Sequence, residues 1–194
     1  QRCDVGDGDD IAALVKATAD TFGRLDFAFN NAGISGQYED NSVDEYDDEL
    51  WHRSVSINLT GVMRCMREEA KVMLEHGGGA IVNTASILGV IADGARPGYC
   101  GTKHGVIGLT RHGALRWARQ GIRVNAVCPG IIETGMTAAG IADPRINEAQ
   151  LRNIPMGRYG QPEEIAEAVV WLCSDAARYV TGHPFIIDGG YVAH

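Results

Sequence analysis

Three short, mainly apolar runs limit what this chain can fold into: Leu25 to Phe29, Ala80 to Ser86 and Ile122 to Cys128. Each is short for a helix and reads as a strand, and Leu25 to Phe29, nearly continuously apolar, reads as one buried on both sides. Strands of that kind belong to parallel sheets covered by crossover helices, and the segments between these runs are long enough to supply the helices.

Those segments carry the helical period. Asp9 to Phe22 sets Ile11, Val15, Ala19 and Phe22 on one face, with acidic residues at its positive end and Gly23 as a stop. A polar loop of about ten residues follows Gly33. From Asp44 to about Glu75 runs a long helical pattern through Val55, Leu59, Val62, Met66, Ala70 and Met73, closed by Gly77-Gly78-Gly79. A third helix carries Tyr99, Lys103, Val106, Ile107, Thr110, Ala114 and Trp117 and stops at Gly121. Residues 131–160 show only weak helical pattern and read as a mobile segment over a site. Pro162 opens a helix through Cys173, and Phe185 to Ile187 form a last strand. The predicted fold is α/β, a doubly wound Rossmann-like parallel sheet, forming one domain over residues 1–194.

Charge and composition exclude several functions. A net charge of −8 without a basic cluster argues against a nucleic-acid surface. The apolar stretches are too short for a membrane span, and the start Gln1-Arg2-Cys3-Asp4 lacks the apolar core of a leader. Five scattered cysteines without a Cys-x-x-Cys pair suggest free thiols in the cytoplasm, and the six histidines lack ligand spacing, so no metal site is expected.

In sheets of this kind ligands bind beyond the carboxyl ends of the strands, which brings Asn31-Ala32-Gly33, Ser86 and Pro129-Gly130 towards one crevice. Tyr99 and Lys103 lie one helical turn apart, and the ammonium is expected to draw the phenol's pKa below its ordinary value of about 10. Tyr99 then suits acid and base work on a carbonyl or alcohol, and Ser86 suits a hydrogen bond to the substrate oxygen. Taken alone, Tyr-x-x-x-Lys is a frequent helical spacing, equally given by a surface lysine beside a half-buried tyrosine.

The wider pattern is more specific. Asp4-Val5, Asn30-Asn31-Ala32-Gly33, Asn58 in Ile-Asn-Leu-Thr-Gly, Asn83-Thr84-Ala85-Ser86, Tyr99 to Lys103, Arg123 through Pro129-Gly130, Thr134 and Asp188-Gly189-Gly190 follow in order. This series closely resembles the short-chain dehydrogenase/reductase family over essentially the whole chain. The resemblance implies an oxidoreductase that interconverts a secondary alcohol and a ketone with NAD or NADP, the choice between them open. It assigns Tyr99 as acid and base and Lys103 to tuning Tyr99 and binding the nicotinamide ribose. Ser86 would orient the carbonyl, and Asn58 would hold a water in a proton relay. Asp4 and Val5 would contact adenine, Asn31, Ala32 and Gly33 would let the cofactor approach the backbone, and Ile132 and Thr134, after Pro129 and Gly130, would contact the carboxamide. A homotetramer built on the helices 44–75 and 99–119 and on the last strand is also implied.

One departure matters. The family's glycine-rich Thr-Gly-x-x-x-Gly-x-Gly turn is not found here; Gly6-Asp7-Gly8 and Gly77 to Gly79 follow the wrong elements. The resemblance starts at the end of the family's third strand, at Cys3-Asp4-Val5, so the fold is expected to be N-terminally incomplete, with the strand ending at Asn30 a bare apolar edge and no cofactor held in this form. A non-catalytic relative acting through protein contacts is the alternative, and epimerisation or dehydration of a nucleotide sugar a lesser one.

Overall fold

A computed structural model of the chain describes residues 1–35 and 42–193, so most of the polar loop after Gly33 lies outside the described residues. Helix α1 (Gly8–Phe22) begins where the Asp7 carboxylate accepts the Asp9 N–H at 2.8 Å, and it ends at Gly23 with φ 78°. Strand β1 (Phe27–Asn30) follows. Helix α2 (Asp48–Val55) is capped by Asp47 and leads through a π-helical turn, Ser56–Gly61, into α3 (Val62–Glu75). The long helix expected from Asp44 is therefore broken: its first turn is a short 3₁₀ segment, and an extra residue is accommodated around Asn58. Strand β2 (Gly79–Thr84), helix α4 (Pro97–Trp117) and strand β3 (Ile122–Pro129) come next.

The segment 131–160 departs from the irregular, mobile reading. It holds α5 (Ala138–Ala142) and α6 (Pro144–Arg152), the latter started by Asp143, whose carboxylate accepts the Arg145 N–H at 2.9 Å. Pro144 fits the first turn because it has no N–H to satisfy. Helix α7 (Pro162–Cys173) coincides with its expected limits and is opened by a capping box between Gln161 and Glu164. Strand β4 (Pro184–Ile187) closes the chain's sheet.

The four strands among the described residues are all parallel, in the order β1-β2-β3-β4. Alternate residues of β2 and β3 face opposite layers, as strand geometry requires. Ile81, Val124 and Ala126 pack with Met66 and Met73 of α3 and Val106 and Ile107 of α4, while Val82 and Val127 pack with Ile165, Val169 and Leu172 of α7. Burying a side chain of this size stabilises the fold by about 1.5–3 kcal/mol, and the polar side chains that the central strands also bury, Asn83 and Asn125, are hydrogen-bonded. β1 is the sheet edge, with Phe27 57% exposed. Cys3-Asp4-Val5, expected to end a strand, pairs with no strand among the described residues; the Asp7 N–H instead turns back to the Asp4 carbonyl at 2.9 Å.

Candidate active site

The parallel register brings the carboxyl ends of the strands to one edge. Asn30 pairs with Asn83 and Thr84 with Val127, so Asn31, Ser86 and Gly130 emerge side by side. The Thr84 hydroxyl donates to the Asn31 side-chain carbonyl at 2.9 Å and ties the first two turns together. A side chain at Gly130 would meet the backbone of Asp188 at 2.8 Å, so this glycine is required by the packing of the two strand ends.

Ser86 caps the short 3₁₀ turn Ile87–Gly89, where its Oγ accepts the Leu88 N–H at 3.1 Å. From α4, Tyr99 reaches the same place, and the Ser86 hydroxyl is close enough to favour the phenolate. Lys103, one turn along, is only 4% exposed; its Nζ donates to the Thr84 carbonyl at 2.7 Å and lies 5.4 Å from the centre of the Tyr99 ring. Asn58 is buried on the π-helical turn, where it accepts the Ile34 N–H at 2.8 Å and donates to the Ile34 carbonyl at 2.7 Å. This two-way bond fixes the chain just after Gly33, and a π-helical turn of this kind is a common way to aim one side chain out of a helix at a functional position.

Burial corrects the expected electrostatics. The Tyr99 pKa is raised, because desolvation of the phenolate outweighs the help of Ser86 and of the Arg96 cation. Desolvation also lowers Lys103 from 10.5 to about 8, the neighbouring Cys128 opposing it. The ammonium's pull on the phenol, read from spacing alone, is thus overridden by the low-dielectric setting both groups share.

The other predicted positions fall out differently. Gly33 lies where an added Cβ would come within 3.1 Å of the Asn58 Oδ1 and 3.7 Å of the Lys103 Nζ, a close backbone approach that a side chain would fill. Asn31 and Ala32 are exposed beside it. Ile132 packs its side chain against the core between β2, β3 and α7. Thr134 donates its N–H to the Thr137 hydroxyl at 3.0 Å, in the turn that leads into α5. Asp4 is taken up locally, its carboxylate accepting the Gly6 N–H at 2.8 Å, and Val5 lines a cleft of about 460 Å³ that also reaches Asn31 and Ala32. Two groups went unnoticed in the sequence: the Asp93–Arg96 pair before α4, and Glu69, 6% exposed and hydrogen-bonded by Asn30 at 3.1 Å. The i,i+3 spacing of opposite charges was a readable sign of the first; a glutamate on the inner face of a helical pattern was a sign of the second.

Fold and site together define an oxidoreductase of the doubly wound α/β class. Residues 1–192 match the family model described as enoyl-(acyl carrier protein) reductase. The chain is 44% identical over 193 residues to cyclohexanol dehydrogenase of Acinetobacter sp. (strain SE19), covering 99% of this chain and 74% of the relative. The crystal structure of levodione reductase superposes with a TM-score of 0.91 at 41% identity, covering 98% of this chain and 76% of the other. A gluconate 5-dehydrogenase from Burkholderia cenocepacia J2315, in complex with NADP and tartrate, gives 0.93 at 30% identity, covering 98% and 74%. The chain belongs to the short-chain dehydrogenase/reductase family.

Proposed function

We propose that this chain interconverts a secondary alcohol and a ketone, with Tyr99 exchanging the proton and a nicotinamide dinucleotide as the hydride partner. The observation that carries the reading is the convergence of Ser86, Tyr99 and Lys103 at the end of β2. The residues fit the nicotinamide half of the cofactor: Gly33 leaves open a cradle bordered by the Asn58 carbonyl oxygen and the Lys103 ammonium. There Asn31, Ala32 and Gly33 would flank the nucleotide, Lys103 would bond its ribose hydroxyls, and the backbone at Pro129, Gly130, Ile132 and Thr134 would meet the carboxamide. Asp4 and Val5 would border the adenine. When bound, the nicotinamide supplies or accepts a hydride at the substrate carbon.

The chain's own residues do the rest. Ser86 donates to the substrate oxygen and holds it where charge develops. Tyr99 gives its proton to that oxygen in reduction and takes it back in oxidation. Lys103, anchored on Thr84 with its Nζ 5.4 Å from the centre of the Tyr99 ring, would return a proton to Tyr99 through an intervening hydroxyl or water, and Asn58 would hold the water that leads onward to solvent. The apolar cluster of Ile87, Leu88 and Ile91 around Tyr99 keeps this corner dry and suits a hydrocarbon ring; a cyclic alcohol or ketone is the first substrate class to try, since the relatives above are named for such compounds and for gluconate.

Either NAD or NADP would serve as partner. Leu115, 88% exposed on α4, and Met63 on α3 support a homotetramer that covers these helices, and the unbridged cysteines support a reducing, cytoplasmic setting. Oxidation of cyclohexanol and reduction of cyclohexanone with each cofactor test the reading. Tyr99→Phe is expected to reduce turnover by about 10²–10⁴-fold; full turnover in that variant would overturn it.

A further inference from the structure

The approach to α4 holds a charged pair that the proposed chemistry does not use. The Asp93 carboxylate takes the Ala95 and Arg96 N–H groups on one oxygen, at 3.2 and 3.1 Å. Its other oxygen takes the Arg96 Nε and Nη2, at 2.9 and 2.5 Å. The Cys100 thiol, at 3.6 Å, points at the first oxygen from within the helix. Asp93 thereby fixes both the backbone that enters α4 and the guanidinium of Arg96, which has no capping side chain of its own. So held, the Arg96 guanidinium carbon stands 5.7 Å from the centre of the Tyr99 ring. Arg96 precedes Tyr99 by three residues and Lys103 follows it by four, so cations flank the phenol one turn to either side. Both members of the pair are largely withdrawn from water, with side-chain exposures of 32% and 27%, which limits solvent screening.

We propose that Asp93 and Arg96 form a positioning clamp for Tyr99: Asp93 locks the guanidinium against the ring, and that fixed cation stabilises the phenolate and sets the ring's direction towards Ser86. The proposal rests on the reading of Tyr99 as acid and base. Arginine suits the task because its fork can bond Asp93 twice while its flat face meets an aromatic ring, and because it keeps its charge at every working pH. Lys103 is less dependable in this respect, since burial brings its pKa to about 8. Asp93 remains ionised: burial opposes this, but the bonds from Arg96 hold its carboxyl below the usual range. Among the described residues, the other groups near Tyr99 are Ser86 from the end of β2, Cys100 and Lys103 on α4, Tyr191 in the same apolar cluster, and Tyr46, whose hydroxyl stands 2.6 Å from where a Cβ on Gly98 would be; the Asp93 carboxylate itself raises the phenol, less strongly than the Arg96 cation lowers it. Arg96 and Lys103 are the cations among them.

The test is the pH dependence of kcat/KM for alcohol oxidation by the protein and by its Arg96→Gln, Arg96→Lys and Tyr99→Phe variants. Glutamine keeps a donor for Asp93 but removes the charge. Loss of a cation destabilises the phenolate, so the rising limb of the profile should move up by about half to one pH unit in Arg96→Gln, and Arg96→Lys should recover more than half of that displacement. Titration of the Tyr99 ring by ¹³C-tyrosine NMR should show the same displacement without needing turnover. A limb and a ring titration unmoved in Arg96→Gln overturn the clamp, including the case where the rate falls equally at every pH. Tyr99→Phe with full turnover would instead remove the acid-base reading, and the NMR titration would still decide whether Arg96 acts on the ring.

Discussion

Replacing Lys103 by methionine should stabilise the nucleotide-free protein near neutrality and destabilise it in alkali. Burial lowers this lysine from 10.5 to about 8, and at 1.36 kcal/mol per pH unit the buried ammonium costs about 3 kcal/mol relative to the unfolded chain. Methionine removes that cost but also the donor to the Thr84 carbonyl, a 2.7 Å bond worth about 1–2 kcal/mol. At pH 7 the net gain is about 1–2 kcal/mol, a rise in Tm of roughly 3–6 °C for a domain of this size. The sign with pH follows from proton counting. Between about pH 8 and 10.5 the unfolded wild type binds more protons than the folded one, so wild-type stability rises with pH, and the penalty present below pH 8 fades. The variant's advantage should therefore shrink and reverse by about pH 10, leaving it about 1 kcal/mol less stable through the lost hydrogen bond. Urea unfolding of both proteins at pH 7, 8, 9 and 10 gives the difference directly, with other titrating groups cancelling. A difference that stays constant over this range would refute the argument, since a lysine charged and solvated in the fold would produce that result.

Glu69 offers the opposite case: burial raises it from 4.5 to about 7, so the folded state holds the extra proton in that interval and stability falls as pH rises through it. Glu69→Gln, which keeps an acceptor for Asn30, should be more stable than wild type by about 3 kcal/mol at pH 8 and nearly equal to it at pH 4.5, as read by chemical denaturation at the two pH values. At the turn before β2, Gly78 has φ 123° and a Cβ there would sit 2.3 Å from the Gly121 carbonyl oxygen. Gly78→Ala should cost at least about 3 kcal/mol and lower Tm by roughly 6 °C or more, whereas Gly77→Ala, at φ 86° with nothing within 4 Å, should cost only about 1 kcal/mol. Equal effects of the two substitutions in a thermal melt would show that the close approach to Gly121 is absent.

Elements whose stability is local were legible in the sequence. Helix α7 has its proline, its capping residues and its apolar face all in one stretch, and its limits follow from them. The central strands declare themselves because each is a short, mainly apolar run that ends at a glycine, proline or serine turn. The π-helical turn at Asn58 gave no such sign. Its cause is tertiary: Gly61 must let the Val5 carbonyl approach to within 2.8 Å of a would-be Cβ, while Asn58 turns inwards to bond Ile34, and neither partner is near in sequence. The helices in 131–160 were hidden for a different reason. α5 is only five residues long and α6 has no buried residue, so neither needs a long apolar stripe, and the Asp143 cap was their clearest signal.

The meeting of Ser86, Tyr99 and Lys103 at one strand end was readable, but their protonation was not, because spacing shows which charges are near and does not show how much water they have lost. Four residues between Tyr99 and Lys103 suggested an ammonium lowering a phenol. In the folded chain both are withdrawn from water, so the phenol rises above its ordinary value of 10 and the amine falls to about 8. The charged forms of both groups become harder to reach, and the neutral pair, amine beside phenol, becomes accessible near neutrality. A proton relay benefits from this, since Lys103 can give up and regain a proton close to working pH, which an exposed lysine at 10.5 could not do. The same burial weakens Lys103 as a permanent counter-charge, and a permanent charge is what the guanidinium of Arg96 supplies 5.7 Å from the ring. On the proposed reading, tuning and relay fall to different cations, Arg96 held by Asp93 and Lys103 lowered by burial, and only the fold reveals the division.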